Sequence, residues 1–115
     1  MHIGALLAAA ITIAATTSAS AAEPAFVGTW SADAAKCGVP QSMPDAPMIL
    51  RADGYDRHET HCTFTLVKKT KAGWRVGARC SVEGDAAATT FGLAVKGGKL
   101  VMQEGRGRQT FVRCR

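Results

Sequence analysis

The segment RHETHC, Arg57 to Cys62, gathers residue types that bind metals and transfer protons in enzymes. Helical zinc enzymes of the HEXXH type need two histidines four residues apart with a glutamate between them. Here His58 and His61 are three residues apart, with Glu59 between them. The threonine-rich surroundings favour a strand, on which positions three apart point to opposite faces. We therefore interpret the segment as the start of a strand with two surface histidines, and we predict no metal site and no cofactor.

The alternative interpretation is a metal-dependent hydrolase that uses His58, Glu59 and His61. Other catalytic patterns are absent from the sequence, since no serine lies in a Gly-x-Ser-x-Gly turn and no two cysteines have Cys-x-x-Cys spacing. The glycine-rich segments KGGK (96–99) and GRGR (105–108) suit hairpins better than phosphate-binding loops, because no helix follows them. We expect a protein without catalytic residues.

The first 22 residues are typical of a signal peptide. Residues 3–13, IGALLAAAITI, form an apolar run that is long enough for a signal-peptide core and too short to cross a bilayer as a stable helix. The small residues that follow suit a cleavage site before Glu23. We expect residues 1–22 to be removed on export, and residues 23–115 to form one β domain without a transmembrane segment, either periplasmic or secreted.

The cysteines agree with export into an oxidising compartment, because their number is even and all four follow residue 22. Two disulfides are expected among Cys37, Cys62, Cys80 and Cys114. A hairpin would place Cys62 nearly opposite Cys80 and would admit a bridge between them. We favour instead Cys37–Cys62 with Cys80–Cys114, which would tie the proline-rich loop and the C-terminal strand to the sheet.

Charge divides the chain into two unlike halves. Residues 23–67 have a net charge of −3, whereas residues 68–115 carry eleven basic and three acidic side chains, a net charge of +8. Such a surface favours anionic partners and salt-sensitive association. The candidate anion-binding residues lie in and beside one predicted hairpin: Lys68, Lys69, Lys71, Arg75 and Arg79.

Three kinds of partner fit this charge: an anionic envelope lipid, an acidic polysaccharide or an acidic protein. Nucleic acid fits poorly, because no aromatic side chains alternate with the basic ones on that face. Two alternatives remain open, namely an envelope structural protein held by charge alone and a basic surface that only keeps the protein soluble. The sequence predicts no oligomeric state.

Alternation of apolar and polar residues with period two indicates strands throughout the domain. The clearest is WRVGARCSV (74–82), and others are predicted at 48–51, 62–68, 89–95, 100–104 and 109–114, with FVGTW (26–30) closing the sheet. Gly97-Gly98 suits a two-residue hairpin that pairs Val95 with Leu100. Helix is limited to one turn in SADAAK (31–36), with Ser31 as its N-cap. The predicted fold class is all-β: a small antiparallel meander of six to seven strands, closed as a barrel or sandwich.

Two resemblances follow from these motifs. The segments GTWSADAAKC, GYDRHETHCTF, GWRVGARCSVEG and FVRC are similar to those of a group of small exported bacterial β proteins with four cysteines, and this resemblance implies no activity. Gly28 and Trp30, with a cysteine shortly beyond, resemble the G-x-W opening of calycin-type barrels. That group includes small periplasmic inhibitors of metalloproteases, so the second resemblance implies an inhibitor-like barrel.

Overall fold

The computed structural model describes residue 4, residues 8–12 and residues 23–115. The predicted signal peptide, residues 1–22, therefore lies mostly outside the described residues. Residues 23–115 form eight antiparallel strands and one short 3₁₀ helix. The strands are β1 (Gly28–Ser31), β2 (Met48–Arg51), β3 (Gly54–Arg57), β4 (Thr60–Lys69), β5 (Trp74–Val82), β6 (Asp85–Lys96), β7 (Lys99–Glu104) and β8 (Gly107–Arg113).

The strands form a closed barrel in which each one pairs with its neighbours in the chain and β1 pairs with β8. The all-β barrel is confirmed, with eight strands rather than six to seven. The dipeptide Asp53-Gly54 is typical of a turn and predicts one there, so β3 was missed. Gly54 is instead the first residue of β3, and a Cβ there would overlap the carbonyl oxygen of Cys62 on β4. Only glycine permits so close an approach of two backbones.

The hairpin between β6 and β7 has the predicted register. Gly97 and Gly98 both have positive φ, 58° and 74°, as a type I′ turn requires. Val95 lies opposite Leu100, and Leu93 lies opposite Met102. Both pairs alternate with outward-facing residues, so this hairpin places four apolar side chains on one face of the sheet.

A β-bulge in β4 overturns one predicted orientation. Alternation over residues 62–68 predicts that Cys62, Phe64 and Leu66 share one face of the strand. The register against β5 shifts between Phe64 and Leu66, so the side chains beyond the bulge change faces. As a result Leu66 is 55% exposed, whereas Phe64 is half-buried against the core.

Aromatic rings fill the barrel near the chain's N-terminal segment. Trp30 and Phe26 are fully buried, and the Trp30 indole nitrogen donates a hydrogen bond to the Phe26 carbonyl oxygen at 2.8 Å. Phe26 packs edge-to-face on Trp74, with 5.1 Å between ring centroids. The prediction that residues 26–30 close the sheet is confirmed, since β1 pairs with both β2 and β8.

Arg113, at the end of β8, covers this aromatic cluster. It lies directly opposite Trp30, with its guanidinium carbon 4.2 Å from the indole ring centroid. Its two terminal nitrogens donate hydrogen bonds to the carbonyl oxygens of Val27 and Ala25, at 3.2 and 2.9 Å. A Cβ at Gly28 would come within 2.5 Å of the same guanidinium. Glycine at position 28 therefore leaves the space that Arg113 occupies.

The favoured disulfide pairing is wrong. The structure contains Cys37–Cys114 and Cys62–Cys80, and no described cysteine is free. Cys62 and Cys80 face each other across β4 and β5 with their Cα atoms 4.0 Å apart, and both side chains are buried. This short separation suits a direct cross-strand pair. Cys37–Cys114 ties the loop between β1 and β2 to the end of β8.

The single helical turn is also displaced from its prediction. It is a 3₁₀ helix, Ala34–Lys36, whose N-cap is Asp33 rather than Ser31. The Asp33 carboxylate accepts a hydrogen bond from the Ala35 amide at 3.0 Å. Ser31 remains the last residue of β1 and is buried, because β1 continues one residue beyond Trp30 to pair with Val112.

Candidate anion-binding site

The two histidines of RHETHC lie in different surroundings. His58 occupies the turn between β3 and β4 with a positive φ of 52°. Its backbone amide donates to the Gln41 side-chain oxygen at 2.8 Å, and its Nδ1 lies 2.9 Å from the Gln41 carbonyl oxygen. His58 therefore anchors the proline-rich loop, residues 38–47, to the barrel.

His61 lies on β4 and belongs to an exposed polar network. Its Nδ1 lies 2.7 Å from a carboxylate oxygen of Asp56, whose other oxygen forms an ion pair with Arg51. The hydrogen bond with His61, together with that from Arg51, lowers the pKa of Asp56 below its usual value of 3.8. Among the residues that the structure describes, no group of three or more His, Cys, Asp or Glu side chains could hold a metal ion.

The five predicted anion-binding residues lie at the β4–β5 hairpin, in different positions relative to the two strands. Lys68 and Arg75 lie directly opposite each other on the outer face of β4 and β5. Lys69 lies beyond the bulge, opposite Trp74, with its ammonium 6.0 Å from the Trp74 ring centroid. Lys71 lies in the loop between these strands, and Arg79 lies four residues from Arg75, opposite Thr63. The structure thus pairs Lys68 directly with Arg75, and none of the other three residues lies directly opposite either of them.

The strand registers extend this pair into a row that sequence analysis missed. Arg75 lies opposite Gly92 on β6, Gly92 opposite Gln103 on β7, and Gln103 opposite Arg108 on β8. Directly paired residues of adjacent strands point to the same face. Lys68, Arg75, Gln103 and Arg108 therefore project from the outer surface of the barrel in one line, which we call the cationic row.

Gly92 makes a gap in the cationic row. Because it has no side chain, Arg75 and Gln103 stand about 10 Å apart across β6 with open space between them. On one side of this gap is a depression of about 380 Å³, bordered also by Thr90 and Gly105. On the other side is a second depression of about 230 Å³ that reaches the Trp74 region. Arg75, Gly92 and Gln103 border both.

Within residues 23–115, no carboxylate forms an ion pair with the cationic row. The ion pairs formed by residues 23–115 involve only Lys36, Arg51, His58 and His61 as cations. Like charges placed directly opposite each other on a sheet destabilise it, and Lys68 and Arg75 are such a pair. A bound anion beside them would relieve this repulsion.

No helix of the described residues has the length and hydrophobicity to span a bilayer. Comparison with protein-family models, with curated proteins and with solved structures gives no match. Any functional assignment therefore depends on the geometry of residues 23–115.

Proposed function

We propose that this protein is an exported, non-catalytic β-barrel that binds an anionic component of the cell envelope through the cationic row. The recognised groups are phosphate, sulfate or carboxylate groups carried on a lipid or an acidic polysaccharide. Arg75 would engage one such group, because its planar guanidinium donates two parallel hydrogen bonds to an oxyanion. Gln103 and Lys68 would supply further donors on either side.

One observation carries this proposal: Lys68 and Arg75 are opposed on an exposed face, without a carboxylate partner, beside a depression whose far wall is Gln103. The two disulfides support export, since such bonds persist in oxidising compartments. The separate surroundings of His58 and His61 support a role without a metal ion, because the two side chains contact different neighbours and no group of three potential ligands is found among the described residues.

The double charge reversal K68E/R75E tests the proposal. We expect it to weaken retention on immobilised heparin and on phosphatidylglycerol vesicles by about tenfold at low salt, because each substitution replaces attraction with repulsion. The loss should shrink as salt screens the surface. Heparin represents an acidic polysaccharide and the vesicles represent an anionic lipid, so comparing the two distinguishes these ligands. Immobilised polyglutamate represents an acidic protein in the same comparison.

The matched control is K96E/K99E, which makes the same change in net charge at the β6–β7 hairpin. Lys96 and Lys99 are also opposed and exposed, but they do not border the depressions beside Gly92. We expect the control to lower retention several-fold less than K68E/R75E. Equal losses in the two variants would show that net charge alone governs binding, and the proposed site would then be wrong.

A further inference from the structure

The barrel is closed, but β8 is paired on its β1 side over only part of its length. β1 ends at Ser31, so its contacts with β8 are limited to Trp30 opposite Arg113 and Ser31 opposite Val112. On the other side, β8 pairs with β7 along the whole length from Gly107 to Val112. Residues 107–111 of β8 therefore form an open strand edge.

The hydrogen-bonding direction of this edge follows from two neighbouring bonds. The Cys114 amide donates to the Thr29 carbonyl oxygen at 2.8 Å, so residue 114 bonds toward β1. Since backbone groups alternate sides along a regular strand, residues 112, 110 and 108 also point toward β1. Arg108 and Thr110 are exposed and have no backbone or side-chain hydrogen bond on that side among the described residues.

The edge is a regular template for a further strand. Its register with β7 runs without a shift from Gly107 to Val112, in contrast to β4, whose bulge interrupts the alternation. Beneath it lies a depression of about 360 Å³ bordered by Met102, Glu104, Gly107 and Gln109. We propose that this edge binds an extended segment of a partner protein by strand addition, with acidic residues alternating with apolar ones.

The alternation of acidic and apolar residues in the partner follows from the two faces of an added strand, one outward and one inward. Residues of the partner opposite Arg108 and Thr110 would point outward, beside the positive charges of Arg106 and Arg108, and would therefore be acidic. The residues between them would point inward over Met102 and Glu104, where a carboxylate would be repelled and an apolar side chain would fit. A second copy of this chain is a poor occupant, because antiparallel pairing of two such edges places Arg108 of each copy next to Arg108 of the other, and residues 107–111 contain no acidic side chain to offset this repulsion.

Amide hydrogen exchange on the whole domain tests this inference. The partner is represented by a capped peptide of alternating glutamate and valine, and a peptide of alternating lysine and valine is the charge control. At saturating acidic peptide we expect exchange of the Arg108 and Thr110 amides to slow on the order of tenfold or more. The Gln109 and Phe111 amides, which face β7, should change less. Unchanged exchange at Arg108 and Thr110, or equal protection by the lysine peptide, would overturn the proposal.

Thr110→Pro gives an independent test. Proline removes the amide that faces the open edge and leaves the hydrogen bonds to β7 in place, which is why edge strands tolerate it. We expect T110P to weaken peptide binding tenfold or more and T110V to bind within twofold of the unsubstituted protein. Equal affinities of T110P and T110V would refute strand addition. Should T110P fail to fold, the exchange measurement alone tests the proposal. Slow exchange of the Arg108 and Thr110 amides without peptide, caused by self-association, would contradict the proposal of an acidic partner.

Discussion

At the scale of single residues, the most informative arrangement is that of Gly28, Trp30 and Arg113. The guanidinium of Arg113 covers the Trp30 ring and donates to two carbonyl oxygens of the segment before β1. These contacts link the end of β8 to β1 and the segment before it, so they stabilise the closed barrel. Gly28 belongs to the same arrangement because any side chain there would displace the guanidinium.

Gly28→Ala should lower the free energy of unfolding by about 1–3 kcal/mol, because the new methyl group overlaps Arg113 and because residues with a Cβ rarely adopt the φ of 154° found at position 28. Arg113→Ala should lower it by about 1–2 kcal/mol through loss of the cation–π contact and two hydrogen bonds. In the double variant the total loss should be smaller than the sum of the two single losses, since the clash requires the guanidinium, whereas the backbone strain at position 28 remains. Urea denaturation of the four proteins measures this coupling, and fully additive losses would contradict the geometry.

The network of Asp56, Arg51 and His61 makes stability depend on acid pH. A carboxyl group whose pKa is lowered on folding stabilises the protein above its unfolded pKa, and this contribution is lost as the pH falls through the folded pKa. For Asp56 the usual value is 3.8, and the folded value lies below it.

Asp56→Asn should therefore lower the free energy of unfolding by about 0.5–1 kcal/mol at neutral pH, a modest value because the network is exposed. The difference from the unsubstituted protein should shrink as the pH falls below 3.8 and vanish below the folded pKa, where Asp56 is protonated in both states. Thermal unfolding followed at a series of pH values measures this. A difference that persists undiminished to the most acid pH would rule out the carboxylate as its cause.

At the scale of elements, the disulfides bind regions that the hydrogen-bonded sheet leaves loosely connected. Cys37–Cys114 spans 77 residues and fastens the long β1–β2 loop to the end of β8. Cys62–Cys80 spans 18 residues within one hairpin. In the chain-entropy account the longer loop contributes more, about 4.5 against about 3 kcal/mol.

Replacing Cys37 and Cys114 together by serine should lower the free energy of unfolding by about 3–4.5 kcal/mol, because the unfolded chain regains the entropy of the longer loop. Both positions are partly exposed, so serine leaves no buried cavity there. Urea denaturation gives the change, and peptide mapping without reduction confirms that Cys62–Cys80 persists. A loss below about 1 kcal/mol would show that this bond does not restrict the unfolded chain.

Strand positions were predictable where alternation extends over six residues or more, as in β5, because burial of one face imposes the period of two. β3 was missed because Asp53-Gly54 is typical of a turn, whereas Gly54 is the first residue of this short strand. The outward turn of Leu66 depends on a bulge, which alternation alone does not reveal. The disulfide pairing was predicted wrongly because it was chosen to tie the proline-rich loop and the C-terminal strand to the sheet. The hairpin of β4 and β5 already placed Cys62 opposite Cys80, and this pair is the one that forms.

The cationic row could have been found from the turns. The two-residue turns at Glu83-Gly84, Gly97-Gly98 and Gly105-Arg106 determine the registers of β5 to β8 in succession. Combining the three registers places Arg75, Gly92, Gln103 and Arg108 in line. Sequence analysis used only one of these turns, so it grouped basic residues that are near in the chain and missed those that are near in space.

At the scale of the whole molecule, the second half of the chain gives the barrel a basic surface. The barrel itself is closed by the short pairing of β1 with β8. The net charge of +8 over residues 68–115 attracts anions over distances of about 10 Å at moderate salt. General attraction of this kind does not select a site. Selection requires the local arrangement of Lys68, Arg75 and Gln103 around the gap at Gly92.

The central claim is that anions bind at this arrangement rather than over the whole basic surface. Titration of the isotope-labelled protein with a heparin-derived oligosaccharide, followed by backbone amide NMR shifts, tests it most directly. We predict the largest shifts at Lys68, Arg75, Gly92 and Gln103, with small shifts at the Gly97-Gly98 turn between Lys96 and Lys99. Shifts at that turn as large as those at Gly92 and Gln103 would contradict a specific site.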